Sequence, residues 1–167
     1  MSQTAITLEA WNQTHVSYQA LHSSAYTVFI FLSPECPLCE NYSATLKTLR
    51  AQFPEEEVSF VGIFSGQWYS RDEIQHFLAR YQPPVKVVLD PRYQLQALFQ
   101  ATVTPEAVVV NRSGKVEYQG KIDNWIVSLG KKRTVVNQLY LQDALAALLK
   151  GEEPAIRQTE AVGCFIE

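Results

Sequence analysis

Tyr26-Thr27-Val28-Phe29-Ile30-Phe31-Leu32-Ser33-Pro34-Glu35-Cys36-Pro37-Leu38-Cys39 is the stretch on which the reading of the whole chain turns. Its first seven residues are an unbroken apolar, β-branched and aromatic run. The run is too short for a buried helix and has no alternation, so it predicts a central strand covered on both faces. A turn follows, and then Tyr42, Leu46, Leu49 and Phe53 recur at spacings of 4, 3 and 4, one apolar helical face. Pro37 suits the first helical position, where its missing N–H would be unpaired anyway. That makes Cys36 the N-cap and puts both cysteines at a strand-to-helix junction.

Outward from this unit the elements alternate. Ile6–Trp11 and Thr14–Tyr18 predict a hairpin around Asn12-Gln13. Val58–Phe64 is a strand, and Ser70-Arg71-Asp72-Glu73 is a capping box ahead of the stripe Ile74, Phe77, Leu78 and Tyr81. Val85–Leu89 is a further strand, and Asp90-Pro91 opens a short helix carrying Leu95, Leu98 and Phe99. Ala107–Val110 and Lys115–Tyr118 flank the turn Asn111-Arg112-Ser113-Gly114 as a second hairpin. Residues 119–137, with Lys131-Lys132-Arg133, read as a long irregular connection with a solvated basic triplet. Leu141, Ala144, Leu145 and Leu148 stripe a last helix that Gly151 stops. The expectation is an α/β chain with a mixed sheet and helices on both faces. Residues 1–151 form one domain and 152–167 a C-terminal tail.

Composition narrows the function. The chain has 167 residues, 47% hydrophobic and 19% charged, with a net charge of −3. It is long enough to bury a core without disulfides or metal, and its charge gives no overall basic footprint for nucleic acid. No apolar run reaches membrane-span length. The start has neither a basic n-region nor an apolar h-region, so a cytoplasmic location is expected. A chain trimmed of its leader would look the same, which keeps a periplasmic location as the alternative. Three cysteines make no disulfide scaffold, and their odd count leaves one thiol unpaired within the chain.

Cys36-Pro37-Leu38-Cys39 carries the chemistry. Cysteines at i and i+3 in a first helical turn share a face and lie close enough to bridge. The first thiol sits where unpaired N–H groups and the positive end of the helix dipole favour the thiolate, the nucleophile of disulfide exchange. The second, deeper thiol suits resolution of the mixed disulfide. Two inert buried cysteines and a zinc half-site are the competing readings. Zinc needs a second ligand pair, and His15, His22 and His76 show no matching spacing.

These residues resemble the thioredoxin-like superfamily, in its redoxin branch of bacterial thiol-disulfide oxidoreductases and peroxiredoxins. The likeness spans roughly residues 5–150. Tyr26–Leu32, the Cys36/Cys39 turn and the next helix match the family's first βα unit. Val103-Thr104-Pro105 matches its cis-proline loop, whose backbone pairs with a substrate's backbone. The resemblance implies a thioredoxin-like fold, an oxidoreductase with Cys36 and Cys39 as catalytic thiols, and Thr104 and Pro105 as substrate-binding residues. It implies no cofactor beyond the redox-active disulfide and, as partners, proteins bearing thiols or disulfides. Thioredoxin's buried acid corresponds to Ile30 here, so Glu35, Glu40 and Glu106 are the candidates for deprotonating Cys39. Gly120-Lys121-Ile122-Asp123-Asn124 and the Gly163-Cys164 ending resemble one bacterial redoxin group. Cys164 is therefore either a third redox thiol on an arm or a thiol packed with Phe165 and Ile166.

Two other functions compete. A peroxiredoxin-type peroxidase would use a loop Pro-x-x-x-Thr/Ser-x-x-Cys. Ser33 is correctly placed for it, but Phe29 stands at the proline position. A thioredoxin-fold copper chaperone would use CxxxC with a histidine, against CxxC here.

Overall fold

The computed structural model describes residues 6–167. In chain order the elements are β1 (Thr7–Ala10), β2 (His15–Ser17), α1 (Tyr18–Leu21), β3 (Tyr26–Leu32), α2 (Pro37–Ala51), β4 (Val58–Ser65), α3 (Arg71–Tyr81) and β5 (Lys86–Asp90). They continue with α4 (Gln94–Phe99), β6 (Val103–Thr104), β7 (Glu106–Asn111), β8 (Val116–Gly120), β9 (Ile126–Ser128), β10 (Lys131–Lys132), α5 (Tyr140–Leu149) and β11 (Cys164–Phe165). Seven strands form one mixed sheet in the order β2-β1-β5-β4-β3-β7-β8.

The apolar run at Tyr26–Leu32 is the inner strand that its composition predicts. It pairs parallel with β4 over the whole length Tyr26↔Val58 to Leu32↔Phe64, and antiparallel with β7 from Tyr26↔Asn111 to Phe31↔Glu106. The period of two sends alternate side chains to opposite faces. Val28, Ile30 and Leu32 join the core layer under α2, α3 and α5, whereas Phe29 and Phe31 join the layer with Tyr18, Leu95 and Phe99. Phe29 stacks against both Tyr18 and Phe99, with ring centroids 5.7 and 5.6 Å away. Each large side chain buried this way contributes about 1.5–3 kcal/mol.

Helix boundaries follow the sequence. Cys36 is the N-cap of α2, Pro37 occupies its first turn, and Leu38, Cys39, Tyr42, Leu46 and Leu49 form its buried face. The capping box of α3 has both of its reciprocal bonds, Ser70 Oγ accepting from Glu73 N–H and Glu73 Oε2 accepting from Ser70 N–H. Asp90 is fully buried and its carboxylate accepts from the N–H groups of Gln94, Leu95 and Gln96, which opens α4.

Two segments differ from expectation. The second arm of the first hairpin ends at Ser17, because the Ser17 hydroxyl accepts from Ala20 N–H and starts the one-turn helix α1. The stretch 119–137 is not irregular throughout: β8 runs to Gly120, and β9 and β10 pair as a small antiparallel hairpin. Its anchors are tertiary. Lys132 lies over the Trp125 ring, whose edge meets Tyr42 of α2. Neither contact has a periodic signature in sequence.

Residues 152–167 pack on the domain. Gln119 N–H donates to the Arg157 carbonyl and Thr159 N–H donates to the Gln119 carbonyl, which lays the segment along the edge of β8. The Thr159 hydroxyl accepts from Lys121 N–H at 2.7 Å and meets the Tyr118 hydroxyl at 2.8 Å. Gly120 allows this approach: at φ +143, a Cβ there would lie 2.9 Å from the Thr159 carbonyl carbon and closer still to its oxygen.

Phe29→Ala removes a fully buried ring that packs against Tyr18 and Phe99. It is expected to cost about 3–5 kcal/mol. Urea unfolding of the two chains measures this, and a loss below about 1 kcal/mol would contradict the described packing of this layer.

Candidate functional site

The site begins where β3 ends. Ser33, Pro34 and Glu35 make a tight turn in which Ser33 Oγ accepts from Glu35 N–H at 3.3 Å and the Ser33 carbonyl accepts from Cys36 N–H at 3.3 Å. The turn delivers Cys36 to the start of α2 with φ −87 and ψ 115, and no side chain caps the helix there. The positive end of the α2 dipole therefore faces the Cys36 sulfur without a competing carboxylate cap.

β7 runs antiparallel beside β3, so the residues before it return to the same end of the sheet. Thr104 and Pro105 arrive there, joined by a cis peptide bond. The Cys36 Sγ lies 3.3 Å from the Thr104 carbonyl oxygen. This is a contact and not a hydrogen bond, because the sulfur is part of a disulfide and carries no proton.

That disulfide joins Cys36 to Cys164 across 128 residues of sequence, with Cα atoms 6.0 Å apart. The Cys36–Cys39 bridge expected from the CxxC spacing is absent from this state, and Cys39 is a free, fully buried thiol. The physical reason is the arm. β11 pairs antiparallel with β6 in the register Cys164↔Thr104 and Phe165↔Val103, which holds Cys164 directly against the Cys36 turn. Ile166 N–H donates to the Thr102 carbonyl at 3.0 Å, and the Thr104 hydroxyl donates to the Cys164 carbonyl at 3.4 Å. Of the two readings open for Cys164, the structure thus shows more than packing: Phe165 is exposed and the sulfur is bonded.

The two CxxC sulfurs sit in different surroundings. Cys36 has 1% of its surface exposed and closes the outer end of the core layer. Burial pushes the Cys39 thiol up to about 12; hydrogen bonds from the Ser33 backbone and the Thr104 side chain work against that rise, and the charge of Glu40 adds to it. Cys164 is half-buried and is the less buried residue of the bonded pair.

The carboxylates expected to serve Cys39 are placed otherwise. Glu35 is exposed. Glu40 opposes ionisation of the thiol, as its charge requires. Glu106 is buried but engaged, accepting from Thr102 N–H at 3.3 Å and from Gln119 Nε2 at 2.7 Å. A polar pair that the residue-by-residue reading did not single out is buried nearby. Tyr42, one turn after Cys39 on α2, donates its hydroxyl to Asp123 Oδ1 at 2.6 Å, and Asp123 Oδ1 also accepts from Trp125 N–H. Burial and the Asp123 carboxylate both push the Tyr42 hydroxyl up. Tyr42, Asp123, Pro105 and Val162 line a small cleft beside the cis bond. Only the resemblance of Gly120–Asn124 to one bacterial group pointed to this segment in sequence.

The histidines lie elsewhere: His15 and His76 are exposed, and His22 is buried with Nδ1 3.1 Å from the Arg112 carbonyl. Among the described residues no group of three or more His, Cys, Asp and Glu is placed to hold a metal ion.

Several solved structures share this architecture. An uncharacterized conserved protein from Geobacillus kaustophilus superposes with a TM-score of 0.83 at 23% identity, over 99% of this chain and 90% of its own. A thioredoxin-like protein from Aeropyrum pernix gives 0.60 at 18%, over 71% and 81%. A secreted Mycobacterium tuberculosis disulfide oxidoreductase gives 0.57 at 20%, over 68% and 81%. At these identities the likeness is one of fold, and the fold is thioredoxin-like. No curated protein matches the chain. From residue 2 to residue 119, well over half its length, the sequence fits the AhpC/TSA family model, and the chain belongs to the AhpC/TSA family.

Proposed function

We propose that this protein is a thiol-disulfide oxidoreductase whose nucleophile is Cys36 and whose resolving thiol is Cys164. The disulfide between these two residues carries the reading. It links the sulfur at the helix N-terminus to the one cysteine that an arm, not the core, holds in place.

The chemistry follows from exposure and charge. Cys164 is half-buried and Cys36 is buried, so a donor thiolate attacks at Cys164. Attack there forms a mixed disulfide with Cys164 and expels Cys36 as thiolate, the better leaving group because the α2 terminus stabilises it. A second donor thiol then releases Cys164, and the donor leaves as a disulfide. Two electrons and two protons have entered the protein. The reduced Cys36 passes the electrons on by attacking a substrate disulfide. The cysteine pair is itself the electron carrier, and the partners are proteins with thiols or disulfides.

Cys39 has a different part in this scheme. A thiol that keeps its proton to about pH 12 is a poor resolving nucleophile at neutral pH. It sits one helical turn behind Cys36 as an apolar wall and a slow reserve.

Two outcomes are expected. With a protein disulfide such as insulin as substrate and a dithiol as donor, Cys36→Ser is expected to abolish turnover. Cys164→Ser is expected to accumulate Cys36–substrate mixed disulfides, visible as mass adducts, whereas Cys39→Ser turns over. Adducts from Cys39→Ser and none from Cys164→Ser would reassign the resolving thiol. Consumption of peroxide without insulin reduction would favour a peroxidase.

The second outcome concerns pH. The folded chain holds the Cys39 proton to about 12, whereas the unfolded chain releases it near the ordinary value of 9.0. Stability is therefore undiminished by this group below 9.0 and falls as pH rises from there toward 12, since the unfolded state then binds fewer protons. Cys39→Ala is expected to flatten that alkaline decline in urea unfolding measured over the same range. An unchanged slope would place the decline elsewhere.

A further inference from the structure

The arm lies in a groove as a guest would. Its last residues run extended beside Thr102–Thr104, paired antiparallel with β6 and held by a main-chain bond from Ile166 N–H to the Thr102 carbonyl and a side-chain bond from the Thr104 hydroxyl to the Cys164 carbonyl. Backbone pairing of this kind accepts any extended segment. Selectivity rests on two positions. One is the sulfur delivered to Cys36. The other is Gly163, where a Cβ would collide with the Thr104 carbonyl oxygen, lie 2.7 Å from the carbonyl carbon and 3.3 Å from Pro105 N. That wall is backbone, fixed by β6 and the adjoining proline, so it cannot swing aside as a flexible side chain would. The residue after the cysteine is unread, since Phe165 is 74% exposed.

The arm is also tethered outside the groove. Thr159, through Gln119 and Lys121, holds the segment to β8 four residues before Gly163. Once the disulfide opens, the last residues can leave the groove while that anchor stays.

We propose that the groove formed by Cys36 and Thr102–Thr104 binds extended protein segments in which glycine immediately precedes the reactive cysteine, and that residues 163–166 are the chain's own copy of such a substrate. This rests on the oxidoreductase reading above and adds the substrate class. The Cys36 thiolate attacks the glycine-linked cysteine of a substrate disulfide, bonds to its sulfur and releases the other half as thiolate. The Cys164 thiolate then attacks Cys36 Sγ, restores the internal disulfide and expels the substrate cysteine as thiolate, which takes up the proton that Cys164 lost. The substrate disulfide gains two electrons and the Cys36/Cys164 pair loses two. Tethering gives Cys164 a high effective concentration at the groove, so the arm clears the bound product.

The test uses the full chain carrying Gly163→Ala with Cys164→Ser, in which the arm is excluded from the groove and its thiol is removed, and Cys164→Ser alone, in which the arm keeps its glycine. The probes are a peptide of sequence Gln158–Glu167 with its cysteine joined to thionitrobenzoate, the same peptide with alanine in place of the glycine, and dithiobisnitrobenzoate as a small disulfide that needs no groove. Release of thionitrobenzoate is followed by its colour, and the Cys36 adduct by mass. The doubly substituted chain is expected to react about tenfold or more faster with the glycine peptide than with the alanine peptide. Cys164→Ser alone is expected to react more slowly with the glycine peptide than the double variant does, because its arm competes. Equal rates with both peptides, beside normal reaction with the small disulfide, would overturn the groove proposal and leave the oxidoreductase reading standing. Failure of Cys36 to react with any of the three would overturn both.

Discussion

Burial of β3 on both faces is the constraint from which the remaining geometry follows. A strand with Val28, Ile30 and Leu32 on one side and Phe29 and Phe31 on the other needs two apolar layers, and α2 and α5 with α3, and α1 with α4, supply them. The strand's last residue then fixes where α2 starts. Its antiparallel neighbour β7 fixes where Thr104–Pro105 arrives, because the register Phe31↔Glu106 leaves Pro105 at the same end of the sheet as Ser33. The Cys36 turn and the cis bond thus face each other as a consequence of sheet pairing, and their contact at 3.3 Å needs no special device.

Upon this frame the arm adds one covalent and several weak links. The main-chain bonds at Thr159 and Ile166 are individually worth about 1 kcal/mol. They lay the segment along β8 and β6 so that Cys164 stands against the Cys36 turn. A core disulfide such as one to Cys39 would have to form inside a fully buried apolar layer, where the thiolate is disfavoured.

Family membership and the local physics point the same way but speak to different levels. The AhpC/TSA match and the thioredoxin-like architecture establish the scaffold. The electron carrier, its partners and the role of each sulfur proposed above rest instead on exposure, helix polarity and the register of the arm. Peroxidase chemistry also belongs to this scaffold. The fully buried Phe29 stands at the position where the peroxidase loop has its proline, inside the strand and away from the turn that carries Cys36.

The sequence by itself determined the local units. The unbroken apolar run predicts an inner strand because no half-exposed strand tolerates such a run. Pro37 after Cys36 predicts a helix start because proline lacks the donor that a first turn cannot use. Ser70 with Glu73 predicts the start of α3 by reciprocal capping, and the Cys36/Cys39 spacing singles out the junction as the candidate site. Only the tertiary structure decided which sulfurs are bonded. The CxxC spacing suggested a Cys36–Cys39 bridge because both residues lie in one helical turn, yet Cys39 is a free thiol. The Cys36–Cys164 bridge was not legible, because it depends on the edge of β8 holding Thr159 and on a two-residue pairing with Thr104, contacts across many tens of residues with no periodicity to announce them. Asp123 and Tyr42 were hidden for the same reason: their hydrogen bond joins α2 to a loop 81 residues away, and sequence records neighbours along the chain, whereas charge, burial and bonding are settled by neighbours in space.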